Sequence, residues 1–113
     1  MNYVNGIAIA TVLSVPIFIH QPIQAKAQSF SCANAQIPSE MAICNSESLL
    51  VKDEQVAALV SAQLVKSVSD GNLPALSREH SDWLRERNTC RNDIPCLESS
   101  YDKRIRGLTG REL

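Results

Sequence analysis

Apolar residues between positions 47 and 69 recur every three or four positions, which is the spacing of one face of an α-helix. Asn45 or Ser46 can cap the start of this helix, because both side chains accept hydrogen bonds from first-turn N–H groups. The run Asp70-Gly71-Asn72, followed by Pro74, ends it. The face that we predict to be buried consists of Leu49, Val56, Leu59, Val60 and Leu64.

The same spacing predicts two further helices. One runs from about Pro74 to Thr89, and the other begins near Pro95 and ends before Gly110. One face of the earlier helix carries Leu76, His80, Trp83, Leu84 and Arg87. The later helix has a single stripe of Leu97, Tyr101, Ile105 and Leu108.

A shorter helical turn is predicted from Pro38 to Cys44, because proline is tolerated in the first turn of a helix. Strand-like alternation of apolar and polar residues does not appear in the sequence. We therefore predict an all-α domain: a small disulfide-stapled bundle of three main helices plus a short N-terminal helical turn.

The first 27 residues form a separate region. Ile7 to Ile19 is a nearly unbroken apolar run of 13 residues, whereas crossing a bilayer takes about 20. Ala25-Lys26-Ala27 supplies small residues for signal cleavage before Gln28. We predict a signal peptide at 1–27 and a periplasmic or secreted domain at 28–113. The first six residues contain no Lys or Arg, and an uncleaved anchor or a buried helix is the alternative.

Nothing in the rest of the sequence predicts a stable membrane anchor after signal cleavage. Phe30-Ser31 precedes Cys32, where a lipoprotein signal would have a small-residue box. The formal net charge is -1, and nucleic acid is not an expected partner because phosphate binding requires a basic face.

The four cysteines, Cys32, Cys44, Cys90 and Cys96, are even in number and follow an export signal, which predicts disulfides. A continuous helix would separate Cys90 and Cys96 by about 9 Å along its axis, beyond the roughly 7 Å that a disulfide spans. The turn-forming residues 92–95 favour a reversal there. We favour Cys32–Cys44 with Cys90–Cys96, and the two longer-range pairings remain alternatives.

Cofactor and metal sites are not predicted. The spacings Cys-x11-Cys and Cys-x5-Cys lack the close cysteine pairs of zinc sites. No histidine follows a cysteine as in haem attachment, and the redox pattern Cys-x-x-Cys is absent.

Catalysis is not predicted either. His80 is the one histidine of residues 28–113, and no Gly-x-Ser-x-Gly turn is present. Asp53 and Glu54 are neighbours on a helix and point in different directions, so we expect them on a solvated face. The domain is therefore interpreted as a binding protein and not as an enzyme.

Five segments carry a resemblance to a known family. They are Ser29-Phe30-Ser31-Cys32, Pro38-Ser39-Glu40-Met41-Ala42-Ile43-Cys44, Asp53 with Gln55, Trp83-Leu84-Arg85-Glu86-Arg87-Asn88-x-Cys90, and Cys96-Leu97-x-x-x-Tyr101-x-x-Arg104-Ile105-x-x-Leu108. In this order they resemble the DUF1311 family, the N-terminal domain like that of the lysozyme inhibitor LprI. The chain departs from the family pattern at Lys52, usually apolar, and at Glu54, commonly basic.

The resemblance implies a bacterial envelope or secreted protein and, for some members, lysozyme inhibition. The expected partner is a protein, lysozyme or another cell-wall hydrolase. The alternatives are a periplasmic stress or chaperone-like helical protein, and an interaction module of a secretion or immunity system. Membership of a family restricts the fold of a protein more than it restricts the function.

An arginine cluster is the candidate partner-binding surface. Arginine can bind the paired carboxylates of a muramidase cleft, although a salt-bridged, solvated corner is the simpler interpretation. We expect Trp83 in the core between the two later helices, and Tyr101 in the core with its hydroxyl at the edge. Arg87 is expected either at the rim or paired with an acid of the 47–69 helix. The concentration of arginines comprises Arg85, Arg87, Arg91, Arg104 and Arg106. The first four are the candidate partner-binding residues.

Overall fold

The computed structural model describes residues 10–16 and 29–110, and the statements below refer to these ranges. The described elements are a 3-10 turn Cys32–Asn34 and four helices, α1 Pro38–Cys44, α2 Glu47–Asp70, α3 Leu73–Asn88 and α4 Ile94–Thr109. The all-α prediction is confirmed for this part of the chain. The predicted N-terminal turn forms the seven-residue helix α1, which makes four helices where three and a turn were expected.

The N-terminal region is covered only in part. Residues 10–16 carry no regular secondary structure. The predicted cleavage site between Ala27 and Gln28 lies outside the described residues, so the division into signal and domain stays a prediction. Of the described helices, none combines the length and apolar content needed to cross a membrane.

The helix ends follow the local chemistry of the sequence. The Ser46 hydroxyl accepts a hydrogen bond from the Leu49 N–H at 3.3 Å, which identifies Ser46 and not Asn45 as the cap of α2. The Asp93 carboxylate caps α4 by accepting from the Cys96 N–H at 3.1 Å. Gly71 ends α2 with a φ of 71°, a left-handed conformation that glycine adopts without steric cost.

The long helix α2 contacts each of the other three helices and forms the centre of the bundle. Leu49, Val56 and Val60 of the predicted face are buried, whereas Leu59 and Leu64 are partly buried at its edge. Burial of each such side chain contributes about 1.5–3 kcal/mol. The core consists of Ile43, Leu49, Val56, Val60, Trp83, Leu97, Tyr101 and Leu108.

Two local disulfides close the chain around this core. Cys32–Cys44 joins the 3-10 turn to α1, and Cys90–Cys96 bridges the turn between α3 and α4, with Cα–Cα distances of 5.7 and 5.5 Å. The favoured pairing is therefore confirmed. Loops of these lengths stabilise the fold by about 3 and about 2 kcal/mol through the unfolded state. Arg91, at a φ of 53°, lets the chain reverse inside the second loop.

Candidate functional site: a tryptophan–arginine groove above a buried ion pair

An aspartate sits in the centre of the bundle. Asp53 is 0% exposed, so the expectation of a solvated face is wrong for this residue. It lies four residues after Leu49 and three before Val56, on the apolar face of α2. A buried carboxylate requires hydrogen-bond donors around it, because burying a charge without partners is costly.

The donors to Asp53 come from three separate parts of the chain. The Tyr101 hydroxyl donates to Oδ1 at 2.7 Å. The Ser29 hydroxyl donates to Oδ1 at 2.5 Å, and the Ser29 N–H donates to Oδ2 at 2.9 Å. The guanidinium of Arg87 supplies the compensating charge, with Nη1 3.5 Å from Oδ1. We call these four residues, Ser29, Asp53, Arg87 and Tyr101, the buried network.

Arg87 is the cation of the buried network and is 2% exposed. Of the two roles considered for it, pairing with an acid of α2 is confirmed. Its Nε and Nη2 atoms donate to Asn88 Oδ1 at 3.1 and 2.8 Å, and the same oxygen accepts from the Ser39 hydroxyl at 2.9 Å. The guanidinium also lies over the ring of Phe30, 5.4 Å from its centroid. Arg87 therefore joins α3 to α2 and to the segment before α1, and Asn88 joins α3 to α1 through Ser39.

Tyr101 completes the buried network from α4. Burial, together with the neighbouring Asp53 carboxylate, raises the pKa of its hydroxyl, against the opposite effect of Arg87. The phenol therefore stays protonated and keeps its donor role toward Asp53. Tyr101 was expected at the core with its hydroxyl at the edge; its ring is in the core, but its hydroxyl is also enclosed.

Trp83 separates the buried network from the surface. It is 7% exposed, and the prediction that it packs in the core between α3 and α4 is confirmed. Its ring makes an edge contact with Tyr101 at 5.4 Å and a stacked contact with His80 at 5.8 Å. The guanidiniums of Arg87 and Arg104 lie over it at 5.7 and 5.6 Å. Contacts of this kind stabilise beyond the buried area alone.

A groove of about 280 Å³ runs between α3 and α4, with Trp83 and Arg104 in its wall. Arg104 is 8% exposed, and its Nη1 donates to Glu79 Oε1 at 2.7 Å. Its Nε and Nη2 atoms, and the Trp83 Nε1, are buried donors with no acceptor within hydrogen-bond distance among residues 10–16 and 29–110. Such donors are rare because each costs about 1–3 kcal/mol. The remaining lining residues are Asp82, Glu86, Ser100, Lys103 and Gly107.

His80 stacks against the ring of Trp83 and is half-buried. Burial lowers the pKa of its imidazole, and the positive charges of Arg104 and Arg87 lower it further. Its Nδ1 is buried and has no hydrogen-bond partner among the residues that the structure describes. The structure therefore favours the neutral imidazole.

The four arginines of the predicted partner-binding cluster do not share one surface. Arg87 and Arg104 are buried, whereas Arg85 is exposed and pairs with Asp82 one turn away. Arg91 is exposed in the turn between α3 and α4. Contact with a partner through this group stays a prediction, and in this conformation Arg87 is occupied inside the bundle.

Two of the residues that matter most here, Asp53 and Arg104, were not predicted to be buried. The signal for both was present in the spacing. Arg104 follows Tyr101 by three residues and precedes Leu108 by four, so it lies on the apolar stripe of α4. A charged residue at an apolar position of a helix indicates a buried pair, and its partner is found only by packing.

A metal site is not indicated in the described ranges, which contain no group of three or more His, Cys, Asp or Glu placed to hold an ion. Comparison with known proteins yields no match to a family model, to a curated protein or to a solved structure. The resemblance to the DUF1311 family therefore stays a prediction. Its motif residues Ser29, Asp53, Trp83, Arg87 and Tyr101 lie together in and beside the buried network.

Proposed function

We propose that the domain is an exported binding protein whose α3–α4 groove receives an acidic side chain of a protein partner, and that this partner is a cell-wall lytic enzyme such as lysozyme. The observation that carries the proposal is the set of buried donors on Arg104 and Trp83, beside an open groove, that have no acceptor in the described part of the chain. Tryptophan and arginine are the residues most enriched at the energetic centres of protein interfaces.

The arginine donors have the geometry for a carboxylate. Nε and Nη2 form one edge of the guanidinium, and this edge can donate two parallel hydrogen bonds to one carboxylate. Both atoms are enclosed in this conformation, so binding requires the Arg104 side chain to turn into the groove. Lytic muramidases carry a pair of catalytic carboxylates in an open cleft, which is the chemistry that such a donor edge would recognise.

Binding is proposed in preference to catalysis because the carboxylate at the centre of the bundle is enclosed. Asp53 is 0% exposed, and its oxygens accept from Ser29, Tyr101 and Arg87. A substrate could not reach this carboxylate without unfolding the bundle around it. Export is supported by the two disulfides, which persist in oxidising compartments.

The test is a turbidity assay in which lysozymes of different types clear cell walls with the full chain present in excess. We expect slower clearance with the unaltered protein. Arg104→Gln and Lys103→Ala should weaken the inhibition, since both residues line the groove. Arg106→Gln is the matched control, because Arg106 is exposed on the same helix outside the groove. Circular dichroism confirms folding of each variant, and clearance that is unchanged by the unaltered protein contradicts the proposal.

A second candidate function, an acid-responsive chaperone-like protein, rests on His80. Burial and the positive charges of Arg104 and Arg87 favour its neutral form. Protonation would therefore add a third positive charge around Trp83. Such a protein would expose apolar surface as the pH falls. Binding of a hydrophobic dye near pH 2 by the otherwise folded protein would favour it, and a monomeric, folded, dye-negative protein would rule it out.

A further inference from the structure

Glu79 binds the arginine that the proposed function assigns to the ligand. Its Oε1 accepts a hydrogen bond from Arg104 Nη1 at 2.7 Å, and the side chains of Glu79 and Arg104 are 39% and 8% exposed. Hydrogen bonds between a guanidinium and a carboxylate are among the stronger ones in proteins. The enclosed arginine is therefore bound to a carboxylate of its own chain, which is the same chemical group that we propose as its ligand.

The position in which Glu79 holds Arg104 is unfavourable for the rest of the guanidinium. The Nε and Nη2 atoms are buried, and in the part of the chain that the structure describes they have no acceptor. The bond to Glu79 and the contact with the Trp83 ring, 5.6 Å from the ring centroid, stabilise the position nevertheless. A carboxylate in the α3–α4 groove could accept from Nε and Nη2, but the turn of Arg104 that this requires takes Nη1 away from Glu79.

We propose that Glu79 is a latch: it holds Arg104 in the enclosed position, and a ligand carboxylate binds the α3–α4 groove by taking the guanidinium from it. This inference rests on the proposed function, because it concerns the same groove and the same arginine. Glu79 opposes binding in two ways, since its bond to Arg104 must break and its negative charge repels the incoming carboxylate. It acts through Arg104 and is a positioning residue.

The place of Glu79 in the fold allows it to release the arginine. Glu79 lines the α3–α4 groove and also a second groove of about 260 Å³ between α2 and α3. Lys66 lines the second groove as well, so a carboxylate that leaves Arg104 stays in water and beside another cation. Release of a partly exposed acid costs much less than leaving an enclosed charge without a partner.

Asp82 provides the matched comparison for Glu79. It lies on the same helix, lines the same groove and carries the same charge, but its ion pair is with the exposed Arg85 and not with Arg104. Asp82→Asn therefore removes one negative charge from the groove and leaves the bond between Glu79 and Arg104 in place. Glu79→Gln removes the same charge and weakens that bond.

Binding of acetate to the full chain tests the latch, with sodium chloride keeping the ionic strength constant. The readout is the fluorescence of Trp83, the one tryptophan of the chain, because Arg104 lies over its ring. Glu79→Gln should bind acetate roughly fivefold or more tightly than the unaltered protein. Asp82→Asn should give a smaller gain of about twofold, since exposed charges are screened. Circular dichroism verifies the fold of each variant.

A double variant separates release of the arginine from a general change of charge. Glu79→Gln combined with Arg104→Gln should bind acetate no more tightly than Arg104→Gln alone, because Glu79 acts through Arg104. Equal gains in Glu79→Gln and Asp82→Asn, a gain that persists without Arg104, or the absence of a fluorescence response in every variant would overturn the latch.

The turbidity assay distinguishes failure of the latch from failure of the proposed function. If the unaltered protein does not slow clearance but Glu79→Gln tightens acetate binding as expected, the proposed partner is wrong and the latch stands. If the unaltered protein inhibits lysozyme but Glu79→Gln gains no more acetate affinity than Asp82→Asn, the latch is wrong and the proposed function stands.

Discussion

Two neighbouring residues of α2, Lys52 and Asp53, each bind oppositely charged groups on other helices, but they do so in different surroundings. The Lys52 ammonium contacts the carboxylates of Glu98 and Asp102 on α4, the latter at 2.7 Å, and its side chain is 25% exposed. Asp53 is 0% exposed. The two ion pairs are therefore made by adjacent residues of α2, but one lies near the surface and the other in the core.

Hydrogen bonds stabilise the charged forms of the partly exposed Lys52 and its partners on α4. The bonds from Lys52 to Asp102 and Glu98 raise the pKa of the lysine, and the bonds from Lys52 and Ser48 lower the pKa of Glu98. Water competes for all of these charges, so such pairs contribute about 0–1 kcal/mol. Water does not compete in this way for Asp53 and Arg87 in the buried network. Loss of either residue therefore leaves the charge of the other buried without compensation. The comparison predicts that stability depends strongly on residue 53 and weakly on residue 52.

The largest effect is expected from Asp53→Ala. Removing the carboxylate leaves the Arg87 charge and the Tyr101 hydroxyl buried without their acceptor, so the free energy of unfolding should fall by about 3–5 kcal/mol. Urea denaturation of the full chain followed by circular dichroism measures it.

Asp53→Asn is the control for the charge, because it keeps one acceptor oxygen for Tyr101 and Ser29. We expect it to lose much of the same stability, since Arg87 is still uncompensated. A loss below about 1 kcal/mol in both variants, the range of an exposed pair, would contradict the distinction between the two residues.

A smaller loss is expected from Tyr101→Phe. The ring packing is kept, but Asp53 loses its 2.7 Å donor, and a hydrogen bond to a charged group contributes about 1.5–3 kcal/mol. The same denaturation measurement applies. If the double variant with Asp53→Ala loses the sum of the two single losses, the residues do not interact as described.

The pH dependence of His80 is the next smaller effect. Because its pKa is lowered in the folded protein, the unfolded chain binds the proton more readily. The stability from the neutral imidazole is thus complete above about pH 6.5 and is lost as the pH falls toward the lowered pKa. Denaturation between pH 5 and 7.5 should show this slope, and His80→Gln should flatten it. If His80→Gln leaves the slope of stability against pH unchanged, the slope does not come from His80.

The smallest effect is expected from Lys52→Ala, with a loss of about 0.2–1 kcal/mol. Added salt should reduce this loss further, because exposed charges are screened. The loss from Asp53→Ala should by contrast hardly change with salt. Denaturation at low and at 1 M salt compares the two variants directly, and equal salt dependence would contradict the difference in burial.

The helices of this protein could be predicted because their signals are local. The spacing of Leu49, Val56 and Val60, the cap at Ser46 and the stop at Gly71 act within a few residues of one another. The disulfide Cys90–Cys96 could also be predicted, since its short loop and turn residues limit its geometry. α1 was predicted as a turn because seven residues are too few for a strong periodic signal.

The sequence by itself thus determined which segments are helical and which face of each is apolar, and it favoured the local pairing of the cysteines without excluding the other two. Only the tertiary structure decided what the charged residues on those faces do. Asp53 and Arg87 are 34 positions apart, and whether a charge is solvated or enclosed depends on which helix covers it. Burial is a property of packing between distant segments, so the buried network, and the groove above it, could not be obtained from local patterns alone.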